Sequence, residues 1–178
     1  MNWFRRNFLN VLLVLVTAFV LSGFQTTFWF QMFGSLPSPL LWLDMVLYLI
    51  LYRKPAEGIL TIYGVGLVLN PFTAMPVGII WMNLLIVFIA MNFIKKRVFW
   101  PSSRYFFVAS FGIGLTWHIS YFVVSRVFES NPASISFFHR LAEIVFTGLI
   151  SVPIYTLMSW LDHMTHKETL PESGGIEA

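Results

Sequence analysis

Three ionisable side chains, Asp44, His118 and Glu143, lie inside long apolar segments of the chain. Ionisable residues within membrane segments are rare, and they commonly mark binding sites or ion pathways. At 1.5 Å per helical residue, all three fall at similar depth in the outer half of a membrane. They are therefore candidates for one intramembrane polar cluster. The alternative is that Glu143 pairs with Arg140 one turn away, while Asp44 and His118 bond to backbone or water.

Sequence patterns of catalysis and cofactor binding are missing from the chain. It has no HExxH motif, no phosphate-cradling loop and no recognisable nucleophile with its base. Gly64-x-Gly66 lacks the other parts of a dinucleotide fingerprint, and His163-x-x-His166 is more typical of a solvated helix end than of a metal site. The absence of Cys excludes disulfides and thiolate metal sites. We expect a protein that is not an enzyme and needs no cofactor.

The composition is that of an integral membrane protein. The 178 residues are 57% hydrophobic and only 11% charged, whereas about a quarter of the residues in a soluble domain are charged. The net charge of +3 is small, and the basic residues lie at the ends of apolar segments. This placement reports membrane topology and gives no sign of a nucleic-acid surface.

The apolar segments predict an all-α bundle of six membrane-spanning helices within residues 1–164, with residues 165–178 as a disordered cytoplasmic tail. The predicted spans are about 8–24, 39–52, 58–69, 77–94, 105–128 and 137–160. The second and third spans are short. We expect Arg53 and Lys54 between them to reach the membrane surface by snorkelling, because a re-entrant loop would leave both charges in lipid.

The basic residues divide unequally between the two sides of this bundle. One side carries nine of them: Arg5, Arg6, Arg53, Lys54, Lys95, Lys96, Arg97, Arg104 and Lys167. The other side carries Arg126 and Arg140. Because cytoplasmic loops are enriched in Lys and Arg, the bias predicts that both termini are cytoplasmic.

Small residues mark two helices and one turn. Gly58, Gly64 and Gly66 lie on the third span, and Gly112, Thr116 and Ser120 form a small-xxx-small stripe on the fifth, with Ser110 and Gly114 beside it. Such residues let helix backbones approach closely, within the bundle or against a partner, although they also line substrate cavities. Asn70-Pro71 predicts the end of the third span in a tight turn, which Pro76 and Gly78 close.

Four short motifs resemble those of the rod shape-determining protein MreD family. They are Pro39-Leu-Leu-Trp-Leu-Asp44, Tyr52-Arg53-Lys54, Gly64-x-Gly66-Leu67-x-Leu69-Asn70 and Met75-Pro76-Val77-Gly78. The resemblance extends over about residues 8–160 and includes the length and the number of spans. The family usually has an acidic residue where this chain has Asn70, so a charged turn is not expected here.

The resemblance implies a non-enzymatic scaffold of the bacterial cell-elongation machinery, which builds peptidoglycan in rod-shaped cells. Such a protein lies in the inner membrane and binds the single-span protein MreC. It thereby helps to organise the MreB cytoskeleton and the peptidoglycan synthase formed by RodA and its transpeptidase. The family also resembles, in fold, the S components of energy-coupling-factor transporters. This likeness leaves open a second function, a vitamin-binding subunit whose outer polar residues hold a small molecule.

Overall fold

The computed structural model describes residues 3–98, 102–129 and 136–167, with side chains described from residue 6. These residues form α-helices joined by short turns, without any β-strand in the described ranges. The helices are α1 (Trp3–Gly23), α2 (Trp29–Phe33), α3 (Leu41–Tyr52), α4 (Pro55–Leu69), α5 (Val77–Val98), α6 (Ser103–Phe128) and α7 (Phe137–Met164). The all-helical prediction is confirmed.

Four helical stretches in the described ranges are long and apolar enough to cross a membrane, which makes this a membrane protein. They are Arg6–Phe33, Val77–Val98, Ser103–Phe128 and Phe137–Met164. Helices α3 and α4 are shorter, at 12 and 15 residues. All six predicted segments are helical, although their bounds differ.

Contacts near the helix ends define two opposite ends of the bundle. Lys95 Nζ at the end of α5 donates to the Ile50 carbonyl near the end of α3 at 2.9 Å. At the opposite end of the bundle, the Phe72 ring packs on Phe19 of α1. We call these two ends the Arg53 end and the Thr73 end. The Arg53 end contains the first residues of α1, α4 and α6 and the last residues of α3, α5 and α7.

Helix α3 is the centre of the bundle. All of its 12 residues are buried, and it contacts α1, α4, α5, α6 and α7. A helix that is apolar on every side is suited to such a position. At its beginning, the backbone N–H of Leu40 donates to Thr147 Oγ1 of α7 at 2.8 Å. A side chain of a neighbouring helix therefore satisfies a backbone group that local capping would otherwise satisfy.

Two predicted segment ends are corrected by the structure. The first helix continues past Phe24 through a π-helical turn (Phe24–Phe28) into α2, because the polar residues of this stretch interrupt the apolar run but not the backbone hydrogen bonding. The predicted tail begins too early, because Thr165 is 1% exposed and Lys167 bonds to Asn7. The rest of that predicted tail, 168–178, lies outside the described residues.

Candidate functional site

The structure places Asp44 in a buried pair with α6. Asp44 is fully buried in the first turn of α3, and Ser110 Oγ donates a hydrogen bond to its Oδ1. Its second oxygen, Oδ2, is buried without a hydrogen-bond partner among the described residues. Asp44 therefore links the central helix to α6 through a single hydroxyl group.

His118 and Glu143 come together at the Thr73 end. His118 Nε2 lies 3.4 Å from Glu143 Oε2, without hydrogen-bond geometry. Arg140 Nη1 donates to the same oxygen at 3.0 Å, and His139 Nε2 lies 3.4 Å from Oε1. The Glu143 carboxylate is thus surrounded by basic side chains from α6 and α7, including the local Arg140 pair anticipated as the alternative.

Asp44 does not join this group, so the three candidates form two sites. Its partner Ser110 precedes His118 by eight residues on α6, which corresponds to about 12 Å along the helix. Thr147, whose hydroxyl donates to the Glu143 carbonyl at 2.6 Å, lies between the two sites beside the start of α3. All three candidates face the inside of the bundle, but they share no partner that would make them one cluster.

The glycines of α4 pack against other helices inside the bundle. A methyl group at Gly58 would lie 3.2 Å from the Leu49 carbonyl oxygen of α3, and one at Gly64 would lie 3.1 Å from Leu15 of α1. At Gly66 it would lie 2.8 Å from the Trp81 ring of α5. Each glycine therefore permits the close approach of a different neighbouring helix.

The small residues of α6 behave differently. A methyl group at Gly112 would have nothing within 4 Å. The Thr116 hydroxyl donates to the Gly112 carbonyl of its own helix at 2.8 Å, and Ser120 is buried with its hydroxyl bonded to the Trp117 carbonyl. Gly112 and Thr116 therefore lie on the outer side of α6, whereas Ser120 lies inside the bundle.

The predicted turn after α4 is present. Asn70, Pro71 and Phe72 form a single 3₁₀ turn directly after Leu69. Pro76 starts α5, because its carbonyl accepts from the N–H groups of Ile79 and Ile80. Asn70, Pro76 and Gly78 are exposed, and Gly78 has open space around it. This turn presents its residues to the surroundings of the bundle at the Thr73 end.

A polar network at the Arg53 end was missed by sequence reasoning. Arg53 Nη2 forms an ion pair with Asp162 Oδ1 and donates to Asn10 Oδ1 at 2.9 Å. Asn10 Nδ2 donates to Asp162 Oδ1 at 3.0 Å and to Thr165 Oγ1 at 2.8 Å, and Tyr48 OH donates to Asp162 Oδ2 at 2.9 Å. All five residues are buried. The network joins α1, α3 and α7, so Arg53 does not snorkel as expected.

Lys167 adjoins this network through its backbone N–H, which donates to the Asp162 carbonyl at 2.9 Å. Its Nζ lies 2.5 Å from Glu57 Oε1 and donates to Asn7 Oδ1 at 2.6 Å. The sequence signal was the presence of Arg53, Asp162 and Lys167 on the same predicted side of the bundle. That signal does not select partners, because pairing depends on which helices are neighbours.

A cavity of about 130 Å³ lies at the Thr73 end, where residues of α1 and α3 to α7 line it. Its wall includes Ser22, Gln25, Trp42, Phe72, Trp117 and Arg140. Asp44, His118 and Glu143 are not among the lining residues. The cavity combines mainly apolar surface with a few polar groups, as small-molecule sites do. Among the described residues, no three His, Asp or Glu side chains are grouped as metal ligands, and His163 and His166 are both exposed.

Comparison with known proteins gives no relative. No protein-family model, no curated protein and no solved structure matches this chain.

Proposed function

We propose that the protein is a six-span membrane scaffold of the bacterial cell-elongation machinery, with both termini in the cytoplasm. The motifs that resemble the MreD family support this proposal, because they occupy the framework of the bundle. Pro39–Asp44 leads into the central helix, Tyr52–Lys54 joins α3 to α4, and Met75–Gly78 starts α5. The protein acts in the inner membrane by binding other proteins and lipid, and it neither turns over a substrate nor binds nucleic acid.

Six crossings are supported by the alternating direction of the passes together with the charge bias. Nine basic residues belong to the Arg53 end and two to the Thr73 end. Helix α3 is only about 18 Å long against a hydrocarbon core of roughly 30 Å. Because surrounding helices enclose all of it, the chain ends of α3 are shielded by protein rather than placed in lipid. A short central span is therefore compatible with a complete crossing.

The main support for the scaffold proposal is the exposed outer face of α6. We define the α6 outer face as Val108, Gly112, Leu115, Thr116 and Ile119, which recur at helical spacing. Val108, Leu115 and Ile119 are 66%, 54% and 56% exposed, and a methyl group at Gly112 would meet nothing within 4 Å. In lipid, helices associate through close backbone approach at such small residues. The α4 glycines are already occupied within the bundle, so of these two small-residue faces the α6 outer face is the one open to a partner.

The proposed partner on this face is the membrane span of an MreC-like protein. Through that protein the scaffold joins the RodA–transpeptidase synthase and the MreB cytoskeleton. The role of the bundle is to hold the partner's span at a fixed orientation in the membrane. Its buried polar contacts between helices, such as Arg53 with Asn10, Ser110 with Asp44 and His118 with Glu143, then serve to fix the bundle.

Co-purification with an MreC-like protein tests this proposal. Gly112→Leu is expected to reduce recovery of the partner by at least about tenfold without lowering the thermal unfolding temperature, because the new side chain projects into open space outside the bundle and blocks close approach of a partner helix. Gly78→Leu is the matched control, since it also adds a leucine in open space, and it should retain the partner. Gly64→Leu should instead lower the unfolding temperature, because Leu15 occupies that space. Full partner recovery with Gly112→Leu would reject this face.

The second candidate function is the vitamin-binding S component. The cavity at the Thr73 end favours it, since a carrier needs a ligand pocket. However, about 130 Å³ is smaller than the roughly 300–1,000 Å³ of pockets for larger ligands. Asp44, one of the outer polar residues expected to hold a small molecule in a carrier, does not line the cavity. Tight vitamin binding by the isolated protein, lost in Asp44→Ala, combined with no stable association with an MreC-like span, would favour the carrier over the scaffold.

A further inference from the structure

Four basic side chains at the Arg53 end lie outside the buried ion-pair network. We call them the basic cluster, and all are exposed: Lys54, Lys96, Arg97 and Arg104. The two acids described at this end are already in ion pairs. Asp162 belongs to the buried network, and Glu57 pairs with Lys167. Among the described residues, no acid lies within ion-pair distance of the basic cluster, so its positive charges are uncompensated.

Helix packing brings the basic cluster together from three parts of the chain. Lys95 Nζ in the last turn of α5 donates to the carbonyl oxygens of Ile50 at 2.9 Å and Arg53 at 3.4 Å. This contact holds the link between α3 and α4, which contains Lys54, beside the end of α5. Helix α6 begins at Ser103, five residues after α5 ends, and packs against α5. The basic cluster therefore lies around one end of α5.

The outer side of α5 next to the basic cluster is apolar. Ile89 and Phe93 are both exposed, and they precede Arg97 by eight and four residues. Residues at this spacing share one face of a helix. The Arg97 guanidinium lies over the Phe93 ring, 5.3 Å from its centre. One exposed stripe of α5 therefore continues from apolar side chains directly into the positive charges.

We infer that the basic cluster binds the headgroup of an anionic phospholipid, whose acyl chains lie along this stripe of α5. Arg and Lys bind phosphate oxygens through charge-assisted hydrogen bonds. Clusters of about four to eight basic residues at the end of a membrane helix are typical of binding to anionic lipid. An acidic protein segment would neutralise the same charges, but it would leave the adjoining apolar stripe unused. The inference does not rest on the scaffold function, since it needs only that the bundle lies in a membrane.

Phosphatidylglycerol and phosphatidylcholine with the same acyl chains test the inference, because only the first carries a net negative charge. Native mass spectrometry of the full-length protein in detergent counts the lipid molecules bound per protein during a titration. We expect phosphatidylglycerol to saturate one site with a Kd at least about tenfold lower than that of phosphatidylcholine. Glycerol 3-phosphate, which lacks acyl chains, should not displace the bound lipid at equal concentration.

Arg97 and Arg126 provide a matched pair of variants at opposite ends of the bundle. Both are exposed, and each guanidinium lies over the ring of a phenylalanine four residues earlier, Phe93 or Phe122. Arg97→Gln should raise the Kd for phosphatidylglycerol by about fivefold, the contribution of one basic residue near anionic lipid. Arg126→Gln, outside the basic cluster, should leave this Kd unchanged. Neither variant should lower the unfolding temperature, because both positions are at the surface.

Three results would overturn the inference. An equal Kd for the two lipids would show that the headgroup charge is not recognised, which would leave the basic cluster to an acidic protein segment. Displacement by glycerol 3-phosphate would show that the cluster binds phosphate without the acyl chains. Equal losses in Arg97→Gln and Arg126→Gln would show that any surface charge attracts the lipid. None of these results affects co-purification with an MreC-like partner.

Discussion

Arg53 and Asp162 lie 109 residues apart in the sequence, yet their side chains form a buried ion pair at one end of the bundle. Their side chains are only 2% and 4% exposed. Asn10 and Tyr48 bond to the same group, so the pair holds the end of the central helix against the first and last helices. This polar network therefore fixes how α1, α3 and α7 are arranged at the Arg53 end.

Removal of one member of the pair should strongly destabilise the protein. In Asp162→Asn the Arg53 charge stays buried without its counter-ion, and we expect a loss of about 3–5 kcal/mol in the free energy of unfolding. The double variant Arg53→Met/Asp162→Leu should be more stable than either single variant, because no unpaired charge remains. Lys54→Gln, at the exposed neighbouring position, is the control. Thermal and denaturant unfolding in detergent measure these differences, and equal stability of Asp162→Asn and Lys54→Gln would contradict the assignment.

A matched pair of threonines tests the link between α1 and α7. Thr165 Oγ1 accepts from Asn10 Nδ2 at 2.8 Å, whereas Thr156 bonds only within its own helix and is exposed. Thr165→Val should reduce the free energy of unfolding by about 1–3 kcal/mol, because a buried donor loses its acceptor. Thr156→Val should change it by less than about 0.5 kcal/mol. A loss in both variants, measured by the same unfolding assay, would point to a general effect of valine.

Replacement by alanine should have different effects on the free energy of unfolding at Gly66 and at Gly78. At Gly66 the added methyl would lie 2.8 Å from Trp81, whose indole N–H already bonds to the Tyr63 carbonyl at 3.3 Å. We expect Gly66→Ala to cost about 1–3 kcal/mol through overpacking. Gly78→Ala has open space and should be neutral or stabilising by up to about 1 kcal/mol, because alanine favours the helix. Unfolding temperatures that rank the variants in the reverse order would refute this view of α4 packing.

The proposed topology makes a direct labelling prediction. Because the chain has no native Cys, single cysteines can be introduced at Ser35, Thr73, Ala56 and Ser102. In intact cells an impermeant thiol reagent should label the first two positions and not the last two. All four should react after the membrane is permeabilised, which shows that each thiol is accessible. Labelling of Ala56→Cys in intact cells would place the Arg53 end outside.

The sequence reveals the helices well because their apolar runs and the Asn70-Pro71 break are local features. It also signals the burial of α3, since Leu41–Tyr52 is apolar on nearly every side. The sequence does not show which side chains of different helices bond to each other. Asp44 bonds to Ser110 and Arg53 pairs with Asp162 because α3 packs against both α6 and α7. Hydropathy reports the depth of a residue in the membrane, but it does not report which helix lies beside it.

Helical continuity explains the other differences. The segment after Phe24 contains polar residues and therefore resembles a loop, yet its backbone continues through a π-helical turn. That turn supplies one wall of the cavity, which no short-range pattern in the chain predicts. The glycine stripes were recognised as packing faces, but only the surrounding helices distinguish the occupied faces on α4 from the open one on α6.

The most direct test of the scaffold function is photocrosslinking from the α6 outer face in living bacteria. A photoreactive amino acid is placed at Ile119 of α6 or, as a control of equal residue type and similar exposure, at Ile89 of α5, where the exposed fractions are 56% and 61%. The scaffold account predicts a crosslink to the membrane span of an MreC-like protein from position 119 but not from position 89. A crosslink from position 89 alone, or none from either position while the protein is folded and inserted, would contradict the account.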